Sequence, residues 1–236
     1  MQTLVFDISG DYAMFRKPYS AASPISYPVP PPSAVIGIVG AILGLDKAHY
    51  AEQIGWQQIQ VGIAIRSPIE RFRTGLNVLH TKNADKYFRP RAGESTHAPQ
   101  PFEFLRNPSY RIYLSGLTNT HQQQLSEQLQ QGRSHYNATL GLANCHADIT
   151  WVGEWNAQPI EENSAWQCVT VVPLQDHTTI HYQNNRHYQR FRIPAAMDSD
   201  RIVHRYQEVL VAEDGRAIEG HGGAIYRVGE EQIAWI

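Results

Sequence analysis

MQTLVFDISGDYAMFRKPYSAASPISYPVPPPSAVIGIVGAILGL, residues 1–45, places a strand, a proline-rich connection and a glycine-bearing helix in immediate succession. Leu4, Phe6 and Ile8 alternate with Val5, Asp7 and Ser9 as far as Gly10, the period-two pattern of a strand. A loop from Asp11 to Pro32 follows, carrying Arg16, Lys17, Tyr19, Ser20 and Ser23 among prolines at 18, 24, 28 and 30–32. Ser33 reads as the helix N-cap, its hydroxyl placed to accept an orphan backbone N–H of the first turn. Ala34, Gly37, Ala41 and Gly44 then fall at helical spacing into a side-chain-poor stripe. Each glycine costs about 1 kcal/mol of helix propensity relative to alanine. A helix that tolerates them lets another backbone come close, either a sheet beneath it or a ligand beside it; the spacing predicts close helix–sheet packing.

Working outward, Asp46 to Trp56 reads as a helical extension or loop. Ile59, Val61, Ile63 and Ile65 alternate with Gln60, Gly62, Ala64 and Arg66, a half-buried strand ended by Ser67-Pro68. A long excursion over 67–101 has little periodicity. Tyr110, Ile112 and Leu114 mark the next strand, and HQQQLSEQLQQ, His121 to Gln131, reads as a polar helix capped by Asn119 or Thr120 and stopped by Gly132. Ala138 to Val152 gives another strand. The order is β-α-β-β-α-β, predicting an α+β, ferredoxin-like or RRM-like domain over 1–155. Strand candidates at Gln167–Leu174, Thr179–Tyr182, Val203–Val211, Ala224–Val228 and Gln232–Trp235 make 156–236 a β-rich C-terminal extension, not an independent domain; part of Val203–Val211 also admits a helical reading.

At 236 residues the chain fits one sizeable domain or two small ones. The formal net charge of −2 gives no bulk argument for a nucleic-acid partner, but the arginines are clustered. Cys145 and Cys168 stand alone, without a paired framework, as suits a reducing compartment. The longest apolar run, Ala34 to Leu45, is short of the roughly 20 residues a membrane span needs, and no signal peptide is legible. A cytoplasmic protein is expected, with no membrane partner.

The excursion is the strongest functional stretch. Arg66, Arg71, Arg73, Lys82, Lys86, Arg89 and Arg91 are interleaved with Phe72, Tyr87 and Phe88, against acids only at Glu70, Asp85 and Glu94. Guanidinium forks match phosphate, and rings stack on unpaired bases; the bland alternative is a solvated loop. Arg16, Lys17, Tyr19 and Ser20 precede the helix start at Ser33, whose partial positive charge suits a phosphate, unless the segment is only a stiff connection. In the stretch from Asp176, His177, His181 and His187 lack the cysteine or carboxylate cluster of a metal site. Arg186, Arg190 and Arg192 with Tyr182, Tyr188 and Phe191 suit an RNA-facing or partner-facing strand, or an exposed hairpin. Gly220, Gly222 and Gly223 form either a phosphate-approaching loop or an ordinary turn. His80, Lys82, Tyr87, His97 and His181 supply the residue types of a metal-independent ribonuclease, yet no spacing selects a catalytic set. No cofactor is implied.

Three stretches in order carry a resemblance: Ser-Tyr-Pro with PPPSAVIGIVGAILGL, EFLRNPSYRIYLSG (Glu103 to Gly116) and YNATLGLANCHADI (Tyr136 to Ile149). Together they resemble the CRISPR-associated Cas-five family, repeat-associated RNA-binding subunits of the Cascade complex; the likeness thins beyond Trp155. It implies an RRM-like Cascade subunit of antiviral defence that binds and caps the 5′ handle of the CRISPR RNA (crRNA). The excursion would be its thumb, reaching between guide and target. It implies crRNA, the Cascade backbone and large subunits, and indirectly target DNA as partners. Arg16, Lys17, Tyr19 and the helix start fall to the handle; Arg66, Arg71, Arg73, Lys82, Lys86, Arg89 and Arg91 fall to the thumb. The IGIVGAILGL helix and short length are most similar to the non-catalytic, type I-B-like branch. The alternatives are an endoribonuclease that processes repeat RNA and a protein-only assembly subunit.

Overall fold

The computed structural model describes residues 1–20, 23–46, 48–54, 58–79, 88, 92–93, 95–161, 164–198, 200 and 202–236. In chain order come β1 (Gln2–Ser9), β2 (Tyr12–Ala13), α1 (Pro32–Leu43), α2 (Tyr50–Ile54), β3 (Gln60–Ile65), β4 (Glu70–Leu79), β5 (His97–Arg106), β6 (Ser109–Ser115), α3 (Asn119–Gln130) and β7 (Asp148–Asn156). The rest is strand: β8 (Gln158–Pro159), β9 (Ala165–Cys168), β10 (Val172–Pro173), β11 (Thr179–His181), β12 (Tyr188–Met197), β13 (Val203–Ala212), β14 (Ile218–His221), β15 (Ile225–Val228) and β16 (Glu231–Ala234).

The architecture is a sheet-rich α+β fold. Its central sheet runs β3-β6-β1-β7, every neighbour antiparallel. The even side chains of β1 (Leu4, Phe6, Ile8) enter the main core with Val35, Val39 and Ile42 of α1 and Leu125 and Leu129 of α3. Val171, Ile193, Val209 and Val211 belong to the same core, so it draws on both halves of the chain. The opposite sheet face is covered too: Val5, Ala64 and Tyr113 pack with Ala157, Val228 and Ile233. That face is therefore shut to stacked bases at Val5, while further along β1 the same face is polar, with Asp7 paired to Arg111 at 2.8 Å.

Several local expectations are corrected. Ser33 is not the N-cap: α1 starts at Pro32, with Pro31 as cap and no side-chain capping bond. Proline at the first helical position has no N–H to satisfy and a preset φ, so no hydroxyl is needed there. The glycine stripe does not meet the sheet. A Cβ at Gly37 would find nothing within 4 Å; Ala34, Gly37 and Ala41 border an open groove of about 580 Å³ beside Tyr50 and Tyr136. The expected strand from Ala138 starts only at Asp148. Gly141 at φ 99° places its Cα hydrogens against Met14, and Met14 N–H donates to Leu140 O at 3.0 Å, so this segment folds back on the N-terminal loop rather than extending. The cap of α3 is Thr118, one residue ahead of the expected pair, its hydroxyl accepting from His121 N–H at 3.3 Å. Gln167–Leu174 divides into β9 and β10 in different sheets, because the Thr170 hydroxyl between them is bound to Ala234. Val203–Ala212 is strand throughout, paired with β12.

Candidate nucleic-acid interface

The excursion is not structureless where it is described. Its two arms, β4 and β5, pair antiparallel from Glu70↔Arg106 to Leu79↔His97. At about 3.4 Å per residue, ten paired positions carry the ribbon roughly 30 Å. Sequence periodicity missed it because prolines at 99 and 101 and glycine at 75 interrupt the alternation. Alternation nonetheless sorts the side chains. Phe72, Phe102 and Phe104 share one face, with Phe72–Phe104 centroids 5.7 Å apart and Phe102–Phe104 6.2 Å apart, both stacked. Tyr12 of β2 lies 5.4 Å from Phe72, and the Arg106 guanidinium sits 5.3 Å over the Phe72 ring. Phe104 is 4% exposed, and Phe72 and Phe102 pack half-buried against the main core; Phe102, Phe104 and Arg106 are the features that sequence reading missed, and the spacing Phe102-x-Phe104 was the available signal.

Arg71 and Arg73 point to the other face. Arg73 is 73% exposed, with only a loose 3.5 Å pair to Glu103. Arg71 is instead engaged by Glu213 at 2.6 Å and Gln189 at 3.0 Å, tying the ribbon to the base of the β12–β13 hairpin. Arg66 is exposed and pairs with Glu231 at 3.3 Å. Lys82, Lys86, Arg89 and Arg91, with His80 and Tyr87, lie outside the described residues.

The Asp11–Pro32 loop is a small second hairpin packed beside the ribbon. Arg16 bridges Ser26, Lys17 N–H donates to Ile25 O at 2.9 Å, and Glu103 N–H of β5 donates to Pro24 O at 2.9 Å. Ser20 is used internally: its hydroxyl donates to Lys17 O at 2.8 Å and accepts from Ile25 N–H at 3.1 Å. Arg16 is exposed and Tyr19 is 70% exposed. Lys17 differs from expectation. Its side chain is buried, with the ammonium 5.5 Å from the Tyr27 ring. Burial, then the charge of Arg71, lowers its pKa. Tyr27, packed 5.5 Å from Phe191, has its hydroxyl pushed up to about 12 by burial. Ser33 is half-buried in the first turn of α1 behind buried Pro30, Pro31 and Pro32, so the helix start is not an open anion site.

Arg186 belongs to the interior. Its side chain is 3% exposed; Nε and Nη2 reach the two Asp214 oxygens at 2.9 Å each, and further donors meet Arg216 O and Ala217 O at 2.8 and 3.0 Å. Arg192 is exposed, 5.3 Å over the Tyr206 ring on the β12–β13 hairpin, and Arg190 of the same strand is exposed and paired with Glu208 at 2.7 Å. His181 Nε2 lies 3.1 Å from His221 Nδ1, and the His97 ring contacts Thr96 at 2.9 Å. The described residues thus bring together the ribbon's phenylalanines, Arg73, and the Arg16–Tyr19 turn. They do not bring Arg186 or Ser33 to that surface.

A family model described as CRISPR-associated protein (Cas_Cas5) matches residues 3–211. No curated protein matches the chain. Among solved structures, the fold is similar to a CRISPR protein from Archaeoglobus fulgidus (TM-score 0.57, 12% identity, covering 99% of this chain and 98% of that one). It is similar to a chain of a CRISPR RNA-guided surveillance complex (TM-score 0.53, 11% identity, 92% and 91% covered). A chain of a Type III-B Cmr-beta complex bound to cognate target RNA is also similar (TM-score 0.51, 10% identity, 93% and 86% covered).

Proposed function

The chain belongs to the CRISPR-associated Cas5 family, and from that premise we propose that it is a non-catalytic subunit of a CRISPR RNA-guided effector complex, holding the 5′ handle of the crRNA. The observation that carries this reading is the β4–β5 ribbon: a projecting arm with exposed Arg73 on one face and, on the other, half-buried Phe72 and Phe102 flanking a Phe104 that is itself buried, rooted beside the turn that exposes Arg16 and Tyr19. Guanidinium groups take phosphates, and the half-buried Phe72 and Phe102 leave some ring surface for an unpaired base, so a ribbon bearing both is suited to lie against single-stranded RNA while guide pairing reads the target.

In this reading the central β1-α1-β3-β6-α3-β7 unit is the ferredoxin-like frame, the ribbon is its thumb, and the strands after Asn156 are an extension that closes the sheet's second face. The backbone and large subunits of a Cascade assembly are the protein partners, and target DNA is met through the guide. The work is done in the cytoplasm, as part of antiviral defence, and the similarity to the type I-B-like branch is kept as part of the proposal.

One gel tests it: purified protein with end-labelled repeat RNA in EDTA, scored for shift and cleavage. A shift of intact RNA is expected. A discrete cut within the repeat would overturn the non-catalytic reading, and the absence of both would favour a protein-only assembly role.

A further inference from the structure

The β12–β13 hairpin carries a second group of exposed cations, far from the ribbon in sequence. Along β12, Phe191 and Ile193 enter the main core with Val209 of β13, and the alternating Arg190 and Arg192 turn to solvent. Further out the hairpin leaves the core: His204, Arg205 and Tyr206 are exposed where Val209, Leu210 and Val211 are buried. The register sets Arg192 opposite Glu208, a placement that ordinarily gives a cross-strand ion pair. Here both Glu208 oxygens accept from Arg190, at 2.7 Å each. Arg192 takes no hydrogen bond or ion pair among the described residues. Its guanidinium lies instead 5.3 Å over the Tyr206 ring, and Tyr206 is still 40% exposed.

A guanidinium laid over a ring is held in place with its donors free, so it gives up little side-chain freedom when an anion arrives. Arg192 and Tyr206 thus offer a donor fork for phosphate and ring surface for an unpaired base in one preset unit. An acidic protein surface would use the fork alone; the ring favours single-stranded RNA. Position favours it too. Tyr27 lies in the loop that exposes Arg16 and Tyr19, and its ring packs 5.5 Å from that of Phe191, the residue before Arg192. The Tyr27 hydroxyl is pushed up first by burial, then by Tyr19 and Tyr206, so both exposed rings lie near it. The surface of the Arg16–Tyr19 turn therefore continues onto the hairpin.

We propose that Tyr206 and Arg192 make a second contact with single-stranded RNA, the ring stacking one unpaired base and the guanidinium holding a phosphate. The inference rests on the RNA-binding reading above and adds an arm from the C-terminal half of the chain, so that one strand runs from the ribbon across the turn to the hairpin.

The test is the affinity of the full-length chain for labelled single-stranded repeat RNA, followed by fluorescence anisotropy over a range of salt concentrations. Tyr206→Ala weakens binding about fivefold or more, the effect of one stacked base, and Tyr206→Phe, which keeps the ring, binds as wild type does. Arg192→Gln flattens the slope of log affinity against log salt by about 0.7, one phosphate contact on a single strand. Changing Arg190 and Glu208 together to glutamine removes a neutral pair and leaves the slope unchanged. Wild-type affinity in Tyr206→Ala, or a wild-type slope in Arg192→Gln, overturns the hairpin contact while the ribbon reading stands. Equal losses in Tyr206→Phe and Tyr206→Ala overturn the stacking. A wild-type chain that binds no RNA overturns both readings.

Discussion

Replacing Arg186 by methionine separates a clamp from an RNA contact. The side chain is 3% exposed, lies 5.1 Å over the Tyr188 ring, and places its donors on both Asp214 oxygens, on Arg216 O, on Ala217 O and on Gln183 Oε1. Methionine keeps much of the volume and removes every donor. Breaking one side of a buried pair costs about 3–5 kcal/mol. Asp214 remains 27% exposed and keeps Arg216 at 2.8 Å, which favours the lower end, about 3 kcal/mol. For a chain of this length 1 kcal/mol moves the midpoint about 2–4 °C, so thermal unfolding should fall by about 6–12 °C. The effect is pH-dependent with a definite sign. Arg186 holds the Asp214 carboxyl far below the usual carboxylate range. A depressed acid contributes stability above its unfolded value of about 3.9 and loses it as the pH falls toward the folded value. The gap between wild type and Arg186→Met should therefore be full near neutrality and close as the pH drops below about 4. RNA affinity, measured well below the variant's midpoint, should be unchanged. A midpoint within about 2 °C of wild type with weakened RNA binding would refute the clamp.

Gly37→Ala should stabilise the protein by up to about 1 kcal/mol, because its Cβ enters open space, whereas Gly141→Ala places a Cβ 2.0 Å from Met14 O at φ 99° and should leave the protein poorly folded; chemical denaturation of the pair checks both. Cys168 is buried and its thiol is pushed up to about 11 by that burial. It should resist a thiol reagent near pH 8 until the protein unfolds, and fast labelling of native protein would contradict the packing.

What sequence made legible divides along physical lines. Elements with unbroken periodicity were placed well: β1, β3 and β6, where alternating Ile and Leu face a core, and α3, whose polar run ends at Gly132. Misreadings fell where tertiary contacts decide. Ser33 had the right chemistry for a cap, but Pro31–Pro32 already met the need. The glycine stripe has helical spacing, yet spacing does not say which face meets the sheet; Val35, Val39 and Ile42 do. In the site, charge was legible and its commitment was not. Arg71, Arg73 and Arg186 look alike in sequence, but Glu213 occupies the first, Asp214 buries the last, and only Arg73 is left 73% exposed. Lys17 shows the same limit, drawn under Tyr27 by neighbours distant in the chain.

The central claim is that the ribbon and the adjoining turn grip RNA by its phosphates. The most direct measurement is the salt dependence of handle-RNA affinity for wild type and for a variant with Arg16 and Arg73 changed to alanine. For single strands the slope of log affinity against log salt changes by about 0.7 per phosphate contact, so the variant's slope should flatten by as much as about 1.4. A folded variant with weakened affinity and an unchanged slope, or with neither altered, would contradict it.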